Sequence, residues 1–235
     1  MRSHFLDLAR YNTDKIKHGY LKIYDPILFS FLDQEIDLLE IGILEGGSLL
    51  LWRDYFPKGK IWGIDANAPA HLNDEERIQV FSGLQQDENF LAEVAKNVPD
   101  GFDIIIDDAS HIGGLTKATF WYLFENHLKP GGIYAIEDWG TGYWSDWADG
   151  EAYNPRRDIE LIYHNFLKRI GIGKGEYFHS HPFGMVGFIK QLIDEQGFAD
   201  LSARNQKIIK RQRLSKFETI TVTSSIVFVK KRMPG

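Results

Sequence analysis

Short apolar runs alternate with longer amphipathic stretches from Ile36 onward, a pattern typical of a parallel β-sheet with helices on both faces. Five apolar runs predict strands, at residues 37–41, 60–64, 77–81, 102–106 and 132–136. Between them, apolar residues recur every three or four positions and predict helices at 48–56, 87–97 and 115–128. Two β-rich runs, 219–222 and 225–229, follow each other closely and predict an antiparallel hairpin. The predicted fold class is therefore α/β, with a mostly parallel sheet of seven strands.

Two segments depart from this alternation. Residues 1–34 predict one or two helices, the second beginning near Pro26 because proline suits the first turn of a helix. Residues 139–155 contain three Trp, two Tyr and several acidic side chains, directly after a predicted strand. Ligands of open α/β sheets bind at the carboxyl ends of the strands, so we expect this segment to be a lid over a substrate. The alternative is that its aromatic rings pack on the body of the protein.

Composition narrows the possible partners. A chain of 235 residues with 43% apolar residues predicts one domain, spanning 1–235. The net charge of -6 argues against binding to a nucleic-acid backbone, which requires clustered Lys and Arg. The basic run at 207–213, KIIKRQR, is then better explained as a solvated face. The pattern leaves the oligomeric state open, a homo-oligomer included.

Cysteine and hydropathy limit the chemistry and the location. The chain has no Cys, so a metal would be held by oxygen or imidazole ligands. The first fifteen residues lack the apolar core of a signal peptide, and no window has the length of a membrane span. We therefore expect a soluble, cytoplasmic protein with no membrane partner.

A glycine-bearing turn follows the first predicted strand in the segment LLEIGILEGGS. Glycines allow a ligand to approach the backbone, and the helix that follows offers free N–H groups to an anion. The glycines are spaced more widely than in the dinucleotide fingerprint, and an acid precedes them, which favours an amino-acid-bearing nucleoside over a pyrophosphate. The predicted cofactor contacts in this turn are Glu40, Gly42, Gly46, Gly47 and Ser48.

Two later strand ends carry further candidate cofactor contacts. Asp65 ends the strand KIWGID about twenty residues after the turn, where a carboxylate would accept hydrogen bonds from ribose hydroxyls. Gln85 follows the third predicted strand and could bond an adenine edge. The alternative is that both are ordinary polar loop residues, but their register with successive strand ends favours the cofactor role.

Acidic clusters at two strand ends give the most specific signal. Asp107, Asp108 and His111 occur in IIIDDASH, and Glu137 and Asp138 in GGIYAIEDW. Because the two strands should be neighbours, four carboxylates and an imidazole converge, and like charges need a cation or a proton between them. A hard ion such as Mg²⁺ suits this set.

Methyl transfer to a hydroxyl is a reaction that could use both the metal-binding acids and the imidazole. A metal-bound hydroxyl has a lowered pKa, and an imidazole can take its proton. We assign Asp108, Glu137 and Asp138 as metal ligands and His111 as the general base. Asp107 points to the other side of its strand end, which suits contact with the cofactor or with the strand edge. Each residue alone could instead be a helix cap or a loop residue.

Taken together, these motifs resemble a known group, the metal-dependent sugar O-methyltransferases of macrolide biosynthesis, the mycinamicin and macrocin type, and more distantly the cephalosporin hydroxylase-like proteins. The resemblance rests on TDK at 13–15, HGY at 18–20, LEIGILEGGSL, GID, FSGLQQD, DDASH and LKPGGIYAIED, which cover about the first 140 residues in order.

The resemblance implies a Rossmann-like class I methyltransferase fold, S-adenosylmethionine and Mg²⁺ as cofactors, and a glycosylated or polyhydroxy acceptor. It also implies that the second Asp of DDASH and both acids of IED hold the metal, that the His of DDASH takes the proton, and that TDK and HGY lie near the site. Residues 139–155 and 156–213 have no counterpart in the resemblance, so the acceptor stays open, phenolic or lipid-linked hydroxyls included.

Two rival functions share part of this pattern. A nicotinamide-dependent oxidoreductase would share the strand–glycine–helix start and Asp65, but it leaves the acids of DDASH and IED without a role. A non-catalytic protein that binds S-adenosylmethionine would need neither those acids nor His111. The complete set of acids and His therefore favours the methyltransferase.

Overall fold

A computed structural model describes residues 2–154, 159–172, 181–204 and 212–234. Seven strands form one sheet in the order β3-β2-β1-β4-β5-β7-β6. Their bounds are β1 Asp37–Ile41, β2 Lys60–Asp65, β3 Ile78–Ser82, β4 Phe102–Asp107, β5 Leu128–Glu137, β6 Phe217–Val222 and β7 Ile226–Lys231. All seven predicted strands are present, and most of their predicted ends lie within one or two residues of these bounds.

Strand direction follows the predicted pattern. β1 to β5 pair in parallel, and β7 runs antiparallel between β5 and β6. β4 and β5 are neighbours, with Asp107 opposite Ile136. Parallel strands end at one edge, so the residues that follow β1, β2, β4 and β5 share the carboxyl edge of the sheet.

Helices cover both faces of the sheet. Their bounds are α1 Asp14–Lys17, α2 Leu21–Leu28, α3 Gly47–Tyr55, α4 Glu88–Ala95, α5 Gly113–Asn126, α6 Ala148–Ala152, α7 Ile159–Arg169, α8 Gly184–Gln196 and α9 Phe198–Arg204. On one face, α2 and α3 pack around the buried Trp52 and Tyr24. On the other, α4, α5 and α8 pack around Phe120 and Tyr134. Alternate residues of the central strands point to these two layers, as a sheet buried on both faces requires.

The prediction that a helix begins near Pro26 is wrong. α2 begins at Leu21, and Pro26 lies inside it. Proline lacks the N–H that would bond the carbonyl four residues earlier, which weakens a helix interior. Here the helix ends only two residues later, and the buried Tyr24 and Leu28 fix it against the sheet. Packing therefore outweighs the local preference of proline for the first turn.

Some of the predicted features reach beyond the described residues. Most of the basic run at 207–213 and the last residue of the segment 139–155 lie outside them. Within the part of the chain that is described, helices long and apolar enough to cross a membrane are absent.

Candidate active site

The carboxyl edge of the sheet opens into a cavity of about 1230 Å³. Eight of the predicted site residues line it, namely Gly42, Gly47, Ser48, Asp65, Gln85, Asp108, His111 and Asp138. A cavity of this size holds a nucleoside cofactor together with a second small molecule. Residues predicted for the cofactor and residues predicted for catalysis therefore face one open cavity.

The turn between β1 and α3 requires its glycines because other backbone lies against it. Gly42 has φ +85°, and a Cβ there would lie 2.2 Å from the backbone oxygen of Asp108. A Cβ on Gly47 would lie 1.9 Å from the backbone oxygen of Asn12. Gly46 has φ +84° and packs against Leu72 outside the cavity lining. Only glycine fits these positions without strain or displacement.

Asp65 ends β2 beside this turn. Its Oδ2 accepts hydrogen bonds from the backbone N–H groups of Ile43 and Leu44, at 3.0 and 3.2 Å. Its Oδ1 accepts from the N–H of Asn67 at 3.0 Å. The carboxylate is half-buried and lines the cavity, so it both fixes the turn and faces the ligand space.

Gln85, in the loop after β3, connects the loop after β4 with helix α5. Its Oε1 accepts from the backbone N–H of Ser110 at 3.1 Å, and its Nε2 donates to the hydroxyl of Thr119 at 3.3 Å. The side chain is buried yet lines the cavity. These contacts hold the loop after β4, which carries Asp108 and His111, in place. Contact with an adenine edge stays a prediction.

Asp108, His111 and Asp138 each place one ligand atom within 4.8 Å of the others. The Nε2 of His111 lies 3.7 Å from Oδ1 of Asp108. His111 and Asp138 both have φ +52°, a left-handed conformation that costs a non-glycine residue free energy. The two carboxylates at this spacing suit a hard divalent cation, and the imidazole lies beside them.

Glu137 lies behind this group. It is 1% exposed and does not line the cavity. Its Oε1 accepts from the hydroxyl of Tyr24 at 2.5 Å, and its Oε2 accepts from Nζ of Lys15 at 2.8 Å. Burial raises the pKa of Glu137, and the ammonium of Lys15 opposes that rise. The predicted role of Glu137 as a metal ligand stays a prediction.

Two other predicted cofactor contacts, Glu40 and Asp107, also lie outside the cavity lining. Glu40 is fully buried, with Oε1 3.2 Å from Nζ of Lys15. Asp107 is buried, and Oδ2 accepts from the hydroxyl of Tyr134 at 3.1 Å. Burial raises the pKa of Asp107 to about 7. Contact with a cofactor stays a prediction for both residues.

Three side chains of the amino-terminal segment, Lys15, Tyr20 and Tyr24, donate hydrogen bonds to these acids. The ammonium of Lys15 lies 2.6 Å from Oδ2 of Asp108, in addition to its contacts with Glu40 and Glu137. Tyr20 donates to Asp138, as Tyr24 does to Glu137. The sequence motifs TDK and HGY indicated that this segment lies near the site, but no local pattern identified a buried lysine or the partner of either tyrosine.

Residues 139–154 both line the cavity and pack on the body of the protein. Thr141, Trp144 and Trp147 line the cavity, and the ring of Trp147 lies 5.4 Å from that of His111. Trp139 donates instead to the backbone oxygen of Thr223 at 2.9 Å. Oδ2 of the buried Asp149 accepts from the N–H groups that begin α5 and α8, at 2.7 and 2.6 Å. Packing on the body therefore accounts for part of the segment, and its role as a lid over a substrate stays a prediction.

The sheet order, the antiparallel β7 between β5 and β6, and a ligand cavity at the carboxyl edge of the parallel strands define the class I methyltransferase fold. Within that class, the chain is similar to sugar O-methyltransferases of natural-product biosynthesis, and the resemblance inferred from its motifs is confirmed.

Three comparisons carry this result. Mycinamicin VI 2''-O-methyltransferase of Micromonospora griseorubida is 39% identical over 145 residues, which is 58% of this chain and 36% of that protein. A Streptomyces olivaceus 8-demethyl-8-alpha-L-rhamnosyl tetracenomycin-C 2'-O-methyltransferase is 32% identical over 178 residues, 72% of this chain and 45% of that protein. The structure of MycE methyltransferase in complex with Mg, SAH and Mycinamycin VI matches with TM-score 0.70 and 29% identity, over 97% of this chain and 55% of that one.

The chain thus spans between about a third and somewhat more than half of the length of these proteins. No protein-family model matches it.

Proposed function

We propose that this chain binds S-adenosylmethionine and transfers its methyl group to a hydroxyl of a sugar or of a glycosylated natural product, assisted by Mg²⁺. One observation carries the proposal: a glycine turn suited to a nucleoside and a group of two carboxylates and an imidazole face the same cavity. The similar proteins of Micromonospora griseorubida and Streptomyces olivaceus are both O-methyltransferases, which supports the proposal.

The cofactor would lie along the turn between β1 and α3. Gly42 and Gly47 let this turn pack closely on the backbone of Asp108 and Asn12 and also line the cavity, and Ser48 lies at the start of α3, where helix N–H groups can bind an anion. Asp65 is placed to accept hydrogen bonds from ribose hydroxyls at the end of β2. Gln85 would lie at the end of the cavity that holds the adenine.

A divalent cation would be held by Asp108 and Asp138, with Glu137 as the third predicted ligand. When bound, such an ion lowers the pKa of a hydroxyl and fixes its oxygen for attack. His111 would take the proton of that hydroxyl, since its Nε2 lies 3.7 Å from Oδ1 of Asp108 and its ring is only partly buried. Trp147, whose ring meets that of His111 edge to face, would exclude water from this proton transfer.

The acceptor would bind under the segment 139–155. Trp144 and Trp147 offer rings to the apolar face of a sugar, and Thr141 offers a hydroxyl. Because a single sheet carries both the cofactor side and the acceptor side of the cavity, we also propose that residues 1–235 act as one methyltransferase domain.

Ligand-dependent melting separates this proposal from its two rivals. A ligand that binds only the folded state raises the melting temperature. We expect S-adenosylhomocysteine to raise it and NAD to leave it unchanged. Stabilisation by NAD alone would overturn the proposal in favour of an oxidoreductase.

Transfer itself needs a second assay. Radiolabelled S-adenosylmethionine, Mg²⁺ and a panel of glycosylated, phenolic and lipid-linked hydroxyl compounds should give labelled product with a glycosylated member. Binding of S-adenosylhomocysteine without transfer to any member would favour the non-catalytic binding protein. Transfer only to phenolic compounds would retain the reaction class and overturn the acceptor.

A further inference from the structure

A lysine is buried at the centre of the acidic site. Lys15 lies in α1 and is 0% exposed. Its Nζ is 2.6 Å from Asp108, 2.8 Å from Glu137 and 3.2 Å from Glu40. These three carboxylates come from β1, the end of β4 and the end of β5, so one ammonium joins the strand ends that build the site.

The charge of Lys15 is stabilised in this position by its neighbours. Burial alone disfavours the charge, but three carboxylates lie within 3.2 Å of Nζ and compensate it. A buried charge is tolerated only when it is paired, and three like-charged carboxylates need a compensating cation for the same reason. Lysine and carboxylates therefore depend on each other for burial.

Lys15 also decides which carboxylate oxygens face the cavity. It occupies Oδ2 of Asp108, while Oδ1 of the same residue is on the side of His111. With Tyr24, it takes both oxygens of Glu137. Its own side chain does not line the cavity, so it reaches neither cofactor nor acceptor. Its action on the reaction would be through Asp108 and Glu137.

We propose that Lys15 is a positioning residue, a built-in cation that assembles the acidic half of the site before any metal ion arrives. The inference rests on the proposed function for its catalytic consequence, but its structural consequence does not. Lys15 holds Asp108 and Glu137 at fixed positions, and the site is consequently formed in the metal-free protein. Without the ammonium, a divalent cation would have to take over that role.

Metal-linked melting tests this without any methyl transfer. In Lys15→Met, the metal-free melting temperature should fall by roughly 10 °C, since removing one partner leaves buried charges uncompensated. Mg²⁺ at 10 mM should then raise the melting temperature of the variant by more than it raises that of the wild type. A variant that melts within 2 °C of the wild type, or gains no more from Mg²⁺, overturns the proposal.

A charge-matched double variant covers the case in which Lys15→Met does not fold. Lys15→Met with Glu40→Gln removes one carboxylate together with the ammonium, and Glu40 lies outside the cavity lining. The double variant should recover at least half of the lost melting temperature. A double variant no more stable than Lys15→Met alone would mean that lost packing, not lost charge, explains the defect.

The absence of cysteine allows a direct test of the ammonium. Lys15→Cys, alkylated in denaturant with 2-bromoethylamine and refolded, carries a thioether ammonium of nearly the same length. Alkylation with iodoacetamide gives a neutral amide at the same place. Wild type taken through the same steps has no thiol to react and is the control. The ammonium adduct should restore the melting temperature and at least a third of wild-type kcat.

The neutral adduct should keep the affinity for S-adenosylhomocysteine within about threefold, because Lys15 does not reach the cavity, and lose at least 100-fold in kcat. Equal behaviour of the two adducts would overturn the role of the charge. If neither the wild type nor any variant or adduct transfers methyl groups, but the melting temperatures respond to Mg²⁺ as expected, the proposed function fails and the role of Lys15 stands.

Discussion

Two site residues have backbone conformations that non-glycine residues seldom adopt. His111 and Asp138 have φ +52°, each at a cost of about 1 kcal/mol or more. Surrounding contacts hold them: Tyr20 donates to Asp138, and Trp147 packs edge-on against His111. The strained backbone turns both side chains toward Asp108. Strain at these positions, in a molecule whose other described residues rarely show it, supports their assignment to the reaction.

Replacing His111 separates binding from chemistry. His111→Ala should lower methyl transfer about 100- to 10,000-fold, because a general base contributes that much. Affinity for S-adenosylhomocysteine should stay within about threefold, as measured by calorimetry, since the cofactor turn is on another strand end. His71→Ala, at an exposed residue outside the cavity lining, is the matched control. Equal turnover in His111→Ala would remove the imidazole from the mechanism.

At the residue scale, sequence reasoning identified groups that follow strand ends and missed those that depend on tertiary placement. Asp108, His111 and Asp138 were predicted because their strands were recognised as neighbours. Lys15 was not, since α1 has only four residues and nothing local marks it as buried. The partners of Glu137 were missed for the same reason: they come from more than 100 residues away in the chain.

At the scale of elements, the strands were predictable and the amino-terminal helices were less so. Strands of a sheet that is covered on both faces are almost continuously apolar, so the local sequence alone identifies them. The start of α2 was missed because its packing on Trp52 overrides the preference of Pro26. That packing matters for the site, since α1 and α2 together bring Lys15, Tyr20 and Tyr24 to the carboxyl edge.

The glycine turn depends on the amino-terminal segment as well. Gly47→Ala would place a Cβ 1.9 Å from the backbone oxygen of Asn12. We expect a loss of about 1–3 kcal/mol in the free energy of unfolding, together with weaker binding of S-adenosylhomocysteine. Gly114→Ala is the control because nothing lies within 4 Å of its new Cβ. Denaturant unfolding would measure the stability of the two variants, and calorimetry would measure their binding of S-adenosylhomocysteine. Equal stability of the two variants would contradict this account.

Asp149 connects helix α6, in the proposed lid, to the rest of the molecule. Its carboxylate accepts from Gly113 and Met185, so it fixes α6 against the starts of α5 and α8. Asp149→Ala should raise the KM of the acceptor about tenfold, because Trp144 and Trp147 would lose the support of α6. Cofactor affinity should stay unchanged, because the cofactor turn lies between β1 and α3. The exposed Glu151 of the same helix provides the control, Glu151→Ala. A change in cofactor affinity alone would mean that the lid does not bind the acceptor.

At the scale of the whole molecule, the apolar core and the chemistry reside in different places. Two apolar layers, one on each face of the sheet, contain the buried aromatic residues of the fold. The polar groups of the site lie at one edge, where Lys15 compensates part of their negative charge. Loss of a metal ion should therefore remove activity without unfolding the protein, in contrast to small metal-folded domains.

Chelation tests this separation. With EDTA, methyl transfer should fall at least 100-fold, while the melting temperature should change by less than about 3 °C, because the apolar layers and Lys15 do not depend on the ion. Excess Mg²⁺ should restore transfer, and Asp138→Asn should weaken that restoration by removing one carboxylate from the group it shares with Asp108 and His111. Full transfer in chelator would exclude the metal from the reaction. Unfolding in chelator would instead show that the ion, and not the lysine, holds the acids together.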